Sequence, residues 1–305
     1  MFSYLLRRYS FLFYRGKIWK NPQNEFDFPI NIIIFATNMD YTLNIRGRLL
    51  SLETPLVMGI LNVTPDSFYA GSRAMSDEAI AQRAQTLVGE GAAIIDIGGC
   101  STRPGGTLAT EAEETDRVRR ALEIVKAATP SAIVSIDTFR ASVARMAINE
   151  FGADIINDVS GGEDPEMFPL TASTGTPYIL MSQQPTLRDV LVEFAARVQQ
   201  LRALHQKDII LDPGFGFGKT RPGNFRILDE MDKLQVLGLP VLAAMSRKRM
   251  VYETLESTPA ESLNGTTVVN TMALMRGASI IRVHDVRPAV EAVKIYNALC
   301  SSNLA

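Results

Sequence analysis

Short, nearly continuous apolar runs alternate with segments of helical length along most of the chain. From Leu56 onward we count eight such runs: Leu56–Leu61, Ala93–Gly98, Ala132–Asp137, Asp154–Asn157, Pro177–Met181, Asp208–Asp212, Pro240–Met245 and Ala278–Val283. They are rich in β-branched residues and lack strict polar alternation, as strands buried on both faces of a parallel sheet do. Between them, Ser76–Glu90, Glu111–Ala128 and Leu187–Leu204 have helical length, and Ser76 with Asp77 forms an N-cap signal. Eight strand and helix units within about 250 residues predict an α/β fold, a single-domain (β/α)8 TIM barrel. A doubly wound open sheet is the alternative.

A barrel places its chemistry where its strands end. The polar residues that follow the runs are Asn62 and Asp66, Ser101 to Arg103, Asp137, Asn157 and Asp158, Asp212, Ser246 to Lys248, and Arg282 with His284. Any one of them could be an ordinary helix cap or turn residue. However, Asp96, Asp137, Asn157, Asp212 and Arg282 interrupt or close strongly apolar runs, where an unpaired polar group would cost on the order of several kcal/mol. Such groups need partners, and a polar ligand would supply them.

Composition narrows the classes of ligand. The 31 basic and 33 acidic residues leave a formal net charge of -2, so there is no global positive field to hold a nucleic acid. Cys100 and Cys300 are too few for a disulfide framework and have no metal-binding spacing, which agrees with a reducing, cytoplasmic setting. No apolar run reaches the roughly 18–20 residues that span a bilayer. Residues 1–38 carry Arg7, Arg8, Arg15, Lys17 and Lys20 with no acid before Glu25, a composition resembling a transit peptide. They show neither a cleavage site nor a strong amphipathic period. We read them as an extension outside the fold, loosely ordered or translated from upstream sequence, and residues 39–305 as the barrel.

Two glycine-rich stretches bear on the chemistry. Gly214-Phe-Gly-Phe-Gly-Lys-Thr220 has Pro213 where a phosphate-binding P-loop needs its first glycine, so it predicts a tight turn that approaches a ligand or another loop. Gly98-Gly-Cys-Ser-Thr-Arg-Pro-Gly-Gly106 joins flexible glycines to hydroxyls and an arginine suited to an anion.

Together with Leu61-Asn-Val-Thr-Pro-Asp-Ser-Phe68, Ser135-Ile-Asp-Thr138, Ile156-Asn-Asp-Val-Ser-Gly-Gly162, Asp212-Pro-Gly-Phe-Gly-Phe-Gly-Lys219, Ser246-Arg-Lys248 and Arg282-Val-His-Asp-Val286, the motif beginning at Asp96 resembles the dihydropteroate synthases, over about residues 56 to 298. The resemblance implies a barrel that condenses 6-hydroxymethyl-7,8-dihydropterin diphosphate with 4-aminobenzoate, with Mg2+ as cofactor and pyrophosphate as leaving group, in the folate pathway. It implies that Asp212, Asp137, Asn157, Met181 and Lys248 hold the pterin, that Asn62 helps hold Mg2+, and that Arg282 and His284 bind diphosphate. It further implies that Phe68, Thr102, Arg103 and Pro104 close the aminobenzoate site. A cytoplasmic enzyme with small-molecule substrates, often a homodimer, is the expectation. A pterin-binding paralogue without turnover and a folate-dependent corrinoid methyltransferase are the competing readings. The chain departs from the family pattern at Cys100, where Glu is usual, at Tyr69–Ser72, at Ser182–Pro185 and at Arg249.

Overall fold

The computed structural model describes residues 41–64, 76–101 and 108–302. It opens with a hairpin, β1 (Thr42–Ile45) and β2 (Arg48–Ser51). Its two turn residues, Arg46 and Gly47, both have positive φ, 50° and 84°. That is the turn whose twist matches a two-residue hairpin.

Eight parallel strands follow: β3 (Leu56–Asn62), β4 (Ile94–Gly98), β5 (Ile133–Asp137), β6 (Ile155–Asp158), β7 (Tyr178–Met181), β8 (Ile209–Asp212), β9 (Leu242–Ala243) and β10 (Ile280–Val283). They pair in the order β8-β7-β6-β5-β4-β3-β10-β9, and a parallel bridge between Leu211 and Val241 brings the two ends together. The expected (β/α)8 barrel is therefore observed. Each apolar run coincides with a strand, most of them trimmed by one or two residues at the N-terminal end; β3 and β6 extend one residue further, to Asn62 and Asp158, and the run from Pro240 shrinks to two ladder residues.

Helices cover the outside: α1 (Asp77–Gly89), α2 (Glu111–Ala128), α3 (Ala141–Phe151), α4 (Met167–Thr174), α5 (Leu187–Ala203), α6 (Arg221–Asp229), α7 (Arg249–Tyr252), α8 (Leu263–Met275) and α9 (Val286–Ser302). Local chemistry sets their starts. Ser76 Oγ accepts from Ala79 N at 3.2 Å, and Thr110 and Glu113 form a reciprocal capping box.

Side chains alternate across each strand, so every strand feeds two cores. Outward residues such as Ile95, Ile97, Val134, Leu211 and Ile281 belong to one apolar cluster with helix residues that include Val118, Leu122 and Val125. Inward, the N-terminal ends of the strands contribute Met58, Ile94, Ile155, Ile179, Ile210, Leu242 and Ile280, and Leu43, Ile45 and Leu52 of the hairpin segment join the same cluster. The hairpin thus caps the lower end of the barrel. Asn44 N donates to Asp208 Oδ2 at 3.1 Å and Arg46 pairs with Asp154 at 2.6 Å, both acids lying just before their strands.

Candidate active site

Two residues further along the same strands, the interior turns polar. Ile94 is followed by Asp96, Ile155 by Asn157, Ile210 by Asp212 and Ile280 by Arg282, each pair on one face of its strand. Arg282 of β10 donates from Nε to Asp96 Oδ2 of β4 and from Nη2 to Asp137 Oδ2 of β5, both at 2.6 Å. Asn157 of β6 donates from Nδ2 to Asp96 Oδ2 at 3.1 Å. These bonds join strands that are not neighbours in the sheet, so they run through the barrel interior. The structure gathers Asp137, Asn157 and Arg282 as expected, and adds Asp96.

The electrostatics follow from burial. Desolvation lifts the Asp137 carboxyl to about 7 against the pull of Arg282, and it raises Asp212 while Lys248 draws it back. Burial also lowers Lys248 to about 8, with Asp212 opposing. For Arg282, burial disfavours the charge, but Asp96 and Asp137 outweigh it and raise the pKa further.

Asp212 ends β8 with Met181 of β7 as its register neighbour, and its Oδ1 accepts from Gly214 N at 2.8 Å. Met181 is buried beside it. The glycine-rich stretch after β8 is the tight turn its sequence suggested. A Cβ on Gly214, whose φ is +69°, would lie 2.0 Å from Ser182 O. Lys219 fills the turn rather than facing a phosphate, donating to Ser182 O, Gly214 O and Phe217 O at 3.1, 3.0 and 3.0 Å. Lys248 caps the other side, bonding Phe215 O and lying 4.9 Å over the Phe217 ring.

His284 follows β10, and its backbone is held from two directions: its N donates to Ser246 Oγ at 3.1 Å and its O accepts from Arg83 Nη2 at 2.6 Å. Arg247 braces the same region with a two-point ion pair to Asp285 at 2.7 and 2.9 Å. Asn62 ends β3 and is half-buried. A Cβ on Gly98 would lie 3.1 Å from Asn62 Oδ1 and 3.8 Å from Asp137 Oδ2, so these two groups flank one glycine at the mouth.

Phe68, Thr102, Arg103 and Pro104 lie outside the described residues. The stem after the second of these loops is anchored: buried Glu114 pairs with Arg140 and accepts from Thr138 Oγ1 at 2.6 Å, while Arg140 Nη2 donates to Ala109 O at 2.7 Å. Asp158, expected with the mouth residues, turns to the outer face instead. It accepts from Tyr178 Oη at 2.7 Å and from Ser160 N at 2.8 Å, shaping the loop after β6. His205 is exposed at the end of α5. Sequence reasoning missed the central place of Asp96. The available signal was a carboxylate in the middle of an otherwise apolar strand.

The fold is a (β/α)8 enzyme barrel whose interior carries a charged, hydrogen-bonded layer toward the C-terminal ends of its strands. The chain belongs to the pterin binding enzyme family, whose model matches residues 58–284. The dihydropteroate synthase of Bacillus subtilis (strain 168) is 38% identical over 258 residues, which cover 81% of this chain and 89% of that protein. The dihydropteroate synthase of Escherichia coli (strain K12) is 38% identical over 273 residues, covering 84% and 96%. Among solved structures, Xanthomonas albilineans dihydropteroate synthase with 4-aminobenzoic acid matches with a TM-score of 0.79 at 37% identity, covering 86% of this chain and 98% of that one. The Thermus thermophilus dihydropteroate synthase in complex with 4-aminobenzoate matches with a TM-score of 0.76 at 33% identity, covering 85% and 100%.

Proposed function

We propose that the protein condenses 6-hydroxymethyl-7,8-dihydropterin diphosphate with 4-aminobenzoate to give 7,8-dihydropteroate and pyrophosphate, as a dihydropteroate synthase. It is a transferase of folate biosynthesis. The observation that carries the reading is the interior layer in which Asp212, Asp137 and the unpartnered Oδ1 of Asn157 offer acceptors beside the donors Lys248 and Arg282. A dihydropterin has a complementary edge, with amino and ring N-H donors facing acceptors and a ring carbonyl facing a cation. In this reading Asp212 accepts from the guanidine-like edge of the ring, Asp137 and Asn157 accept from its other N-H groups, Lys248 donates to the carbonyl side, and Met181 lines the slot.

The amine nitrogen of 4-aminobenzoate forms a bond to the pterin methylene carbon as the bond from that carbon to the diphosphate oxygen breaks. The proton lost from nitrogen goes to solvent. The arylamine is neutral near pH 7, so no dedicated base is needed. The work of the protein is to hold the leaving group and exclude water. Arg282 and His284 take diphosphate oxygens; Arg282 reaches them from a guanidinium already fixed between Asp96 and Asp137. Phe68, Thr102, Arg103 and Pro104, assigned to the aminobenzoate by the family resemblance, lie outside the described residues.

Mg2+ prefers oxygen donors and keeps waters and substrate phosphates in its shell. Among the described residues there is no cluster of three His, Cys, Asp or Glu for a metal. The amide oxygen of Asn62 at the mouth is an oxygen donor that would hold the ion, and the ion would supply positive charge against the leaving diphosphate.

No described helix is long and apolar enough to cross a membrane. The reading includes a cytoplasmic enzyme with small-molecule substrates and no nucleic-acid partner. It also includes a homodimer, supported by the exposed apolar stripe of Val268, Met272 and Met275 on α8 beside Ile295 and Leu299 on α9. Purified protein given both substrates and Mg2+ is expected to form 7,8-dihydropteroate. Tight binding of pterin diphosphate with no product would overturn the catalytic reading in favour of a binding paralogue.

A further inference from the structure

We infer that Asp96 is a positioning residue, which fixes the direction in which the Asn157 amide faces and holds Arg282 between the ring-binding and diphosphate-binding ends of the site. The inference rests on the pterin reading above.

Asp96 is fully buried in the middle of β4. A single oxygen, Oδ2, receives both Arg282 Nε at 2.6 Å and Asn157 Nδ2 at 3.1 Å. A carboxylate paired with a guanidinium can only accept hydrogen bonds, whereas an amide has a donor end and an acceptor end. Asn157 must therefore turn Nδ2 toward Asp96, and its Oδ1 is set on the opposite side. That Oδ1 is buried and has no protein partner. Held this way, position 157 presents an acceptor to the ligand and selects a ring edge that carries an N-H over one that carries a bare nitrogen or a carbonyl. The same carboxylate fixes the plane of Arg282, whose Nη2 reaches Asp137 Oδ2 at 2.6 Å. Asp96 needs no contact with substrate to do either.

The test is a double-mutant cycle read by calorimetric titration with 6-hydroxymethyl-7,8-dihydropterin diphosphate, alongside the KM for 4-aminobenzoate. Asp96→Asn keeps the side-chain shape but loses the charge that orients its partners, and affinity for the pterin diphosphate is expected to fall about tenfold. Asn157→Asp sets two carboxylates against each other and is expected to cost at least as much. The double variant of Asp96→Asn with Asn157→Ala has no amide left for residue 96 to orient, so adding Asp96→Asn is expected to cost no more than about threefold beyond Asn157→Ala alone, where independent effects would multiply to the full tenfold. The KM for 4-aminobenzoate is expected to stay within about twofold throughout, which a general collapse of the barrel would not allow.

Wild-type affinity in Asp96→Asn, or a full tenfold further loss when Asp96→Asn is added to Asn157→Ala, would overturn the inference. If Asn157→Ala does not fold, Asp96→Asn alone decides, by losing pterin diphosphate affinity with an unchanged 4-aminobenzoate KM or by failing to. Failure of the wild-type protein itself to bind pterin diphosphate would overturn the reading on which the inference rests.

Discussion

The lower and upper halves of the barrel interior are built from the same strands and serve opposite ends. Below, Ile94, Ile155, Ile210 and Ile280 pack against the hairpin residues Leu43 and Ile45. Above, two positions on, stand Asp96, Asn157 and Arg282, joined to one another, and Asp212, which accepts from Gly214 N. The lower layer gains from leaving water and needs no particular partner. The upper layer loses by leaving water and recovers the loss only through partners in fixed positions. A step of two residues along a strand thus separates the part that holds the barrel together from the part that binds.

The sharpest way to break that division is to cut one strand on either side of it. Asp212→Ala is expected to weaken pterin diphosphate binding by about a hundredfold or more, the scale of a lost two-point charged contact with its partners left unpaired, while the protein stays folded. Ile210→Ala, on the same face of the same strand, is expected to lower stability by about 2–5 kcal/mol and leave the affinity of the folded protein unchanged. Chemical denaturation and pterin titration on the pair would show this, and matching losses of both properties in both variants would erase the division.

Arg282→Lys keeps a charge but loses the fork that spans Asp96 and Asp137. Turnover is expected to fall about 10- to 100-fold with a smaller change in the KM for pterin diphosphate, because the lost contact matters most as the diphosphate departs. A KM effect alone would place Arg282 in ground-state binding.

A milder test uses pH. Asp137, lifted to about 7, must be ionised to accept from the ring, so affinity is expected to rise with pH up to about 7. Lys248, lowered to about 8, loses its charge above that value, so affinity falls again on the alkaline side. Pterin titration from pH 6 to 9 is expected to show a maximum between the two, and a flat profile would remove both groups from the ring. The smallest expected effect is in the hairpin: Asn44→Ala removes the side-chain acceptor that bonds Gly47 N at 2.7 Å and is expected to cost about 0.5–1.5 kcal/mol without touching activity.

Much of this organisation was legible in the sequence. The helix read at Glu111–Ala128 has those bounds in the structure, and Asp137, Asn157 and Arg282 are linked in the interior through Asp96, with Asp212 and Lys248 near enough to act on each other's charge. The phase of each strand was not legible. When both faces are apolar, as in Ala93-Ile-Ile-Asp-Ile-Gly98, the pattern of residues does not separate inside from outside. For that reason Asn157 and Asp158 looked alike, though one faces the interior and the other binds Tyr178 on the outside. The hairpin also escaped, because its turn is Arg46-Gly47 rather than the Asn-Gly or Asp-Gly that announces such a turn. The role of Lys219 was hidden for a different reason. Pro213 argues against a phosphate loop, but only the fold shows that Lys219 is enclosed by three carbonyls of the turn and its neighbour.

The central claim is that this mouth condenses two substrates with loss of pyrophosphate. Its most direct test is the ratio of pyrophosphate to 7,8-dihydropteroate formed by the purified protein, with parallel reactions omitting pterin diphosphate, 4-aminobenzoate or Mg2+ in turn. One pyrophosphate is expected per dihydropteroate, with neither product when any component is missing. Pyrophosphate released without 4-aminobenzoate at the full rate, or no product despite tight pterin binding, would contradict the claim.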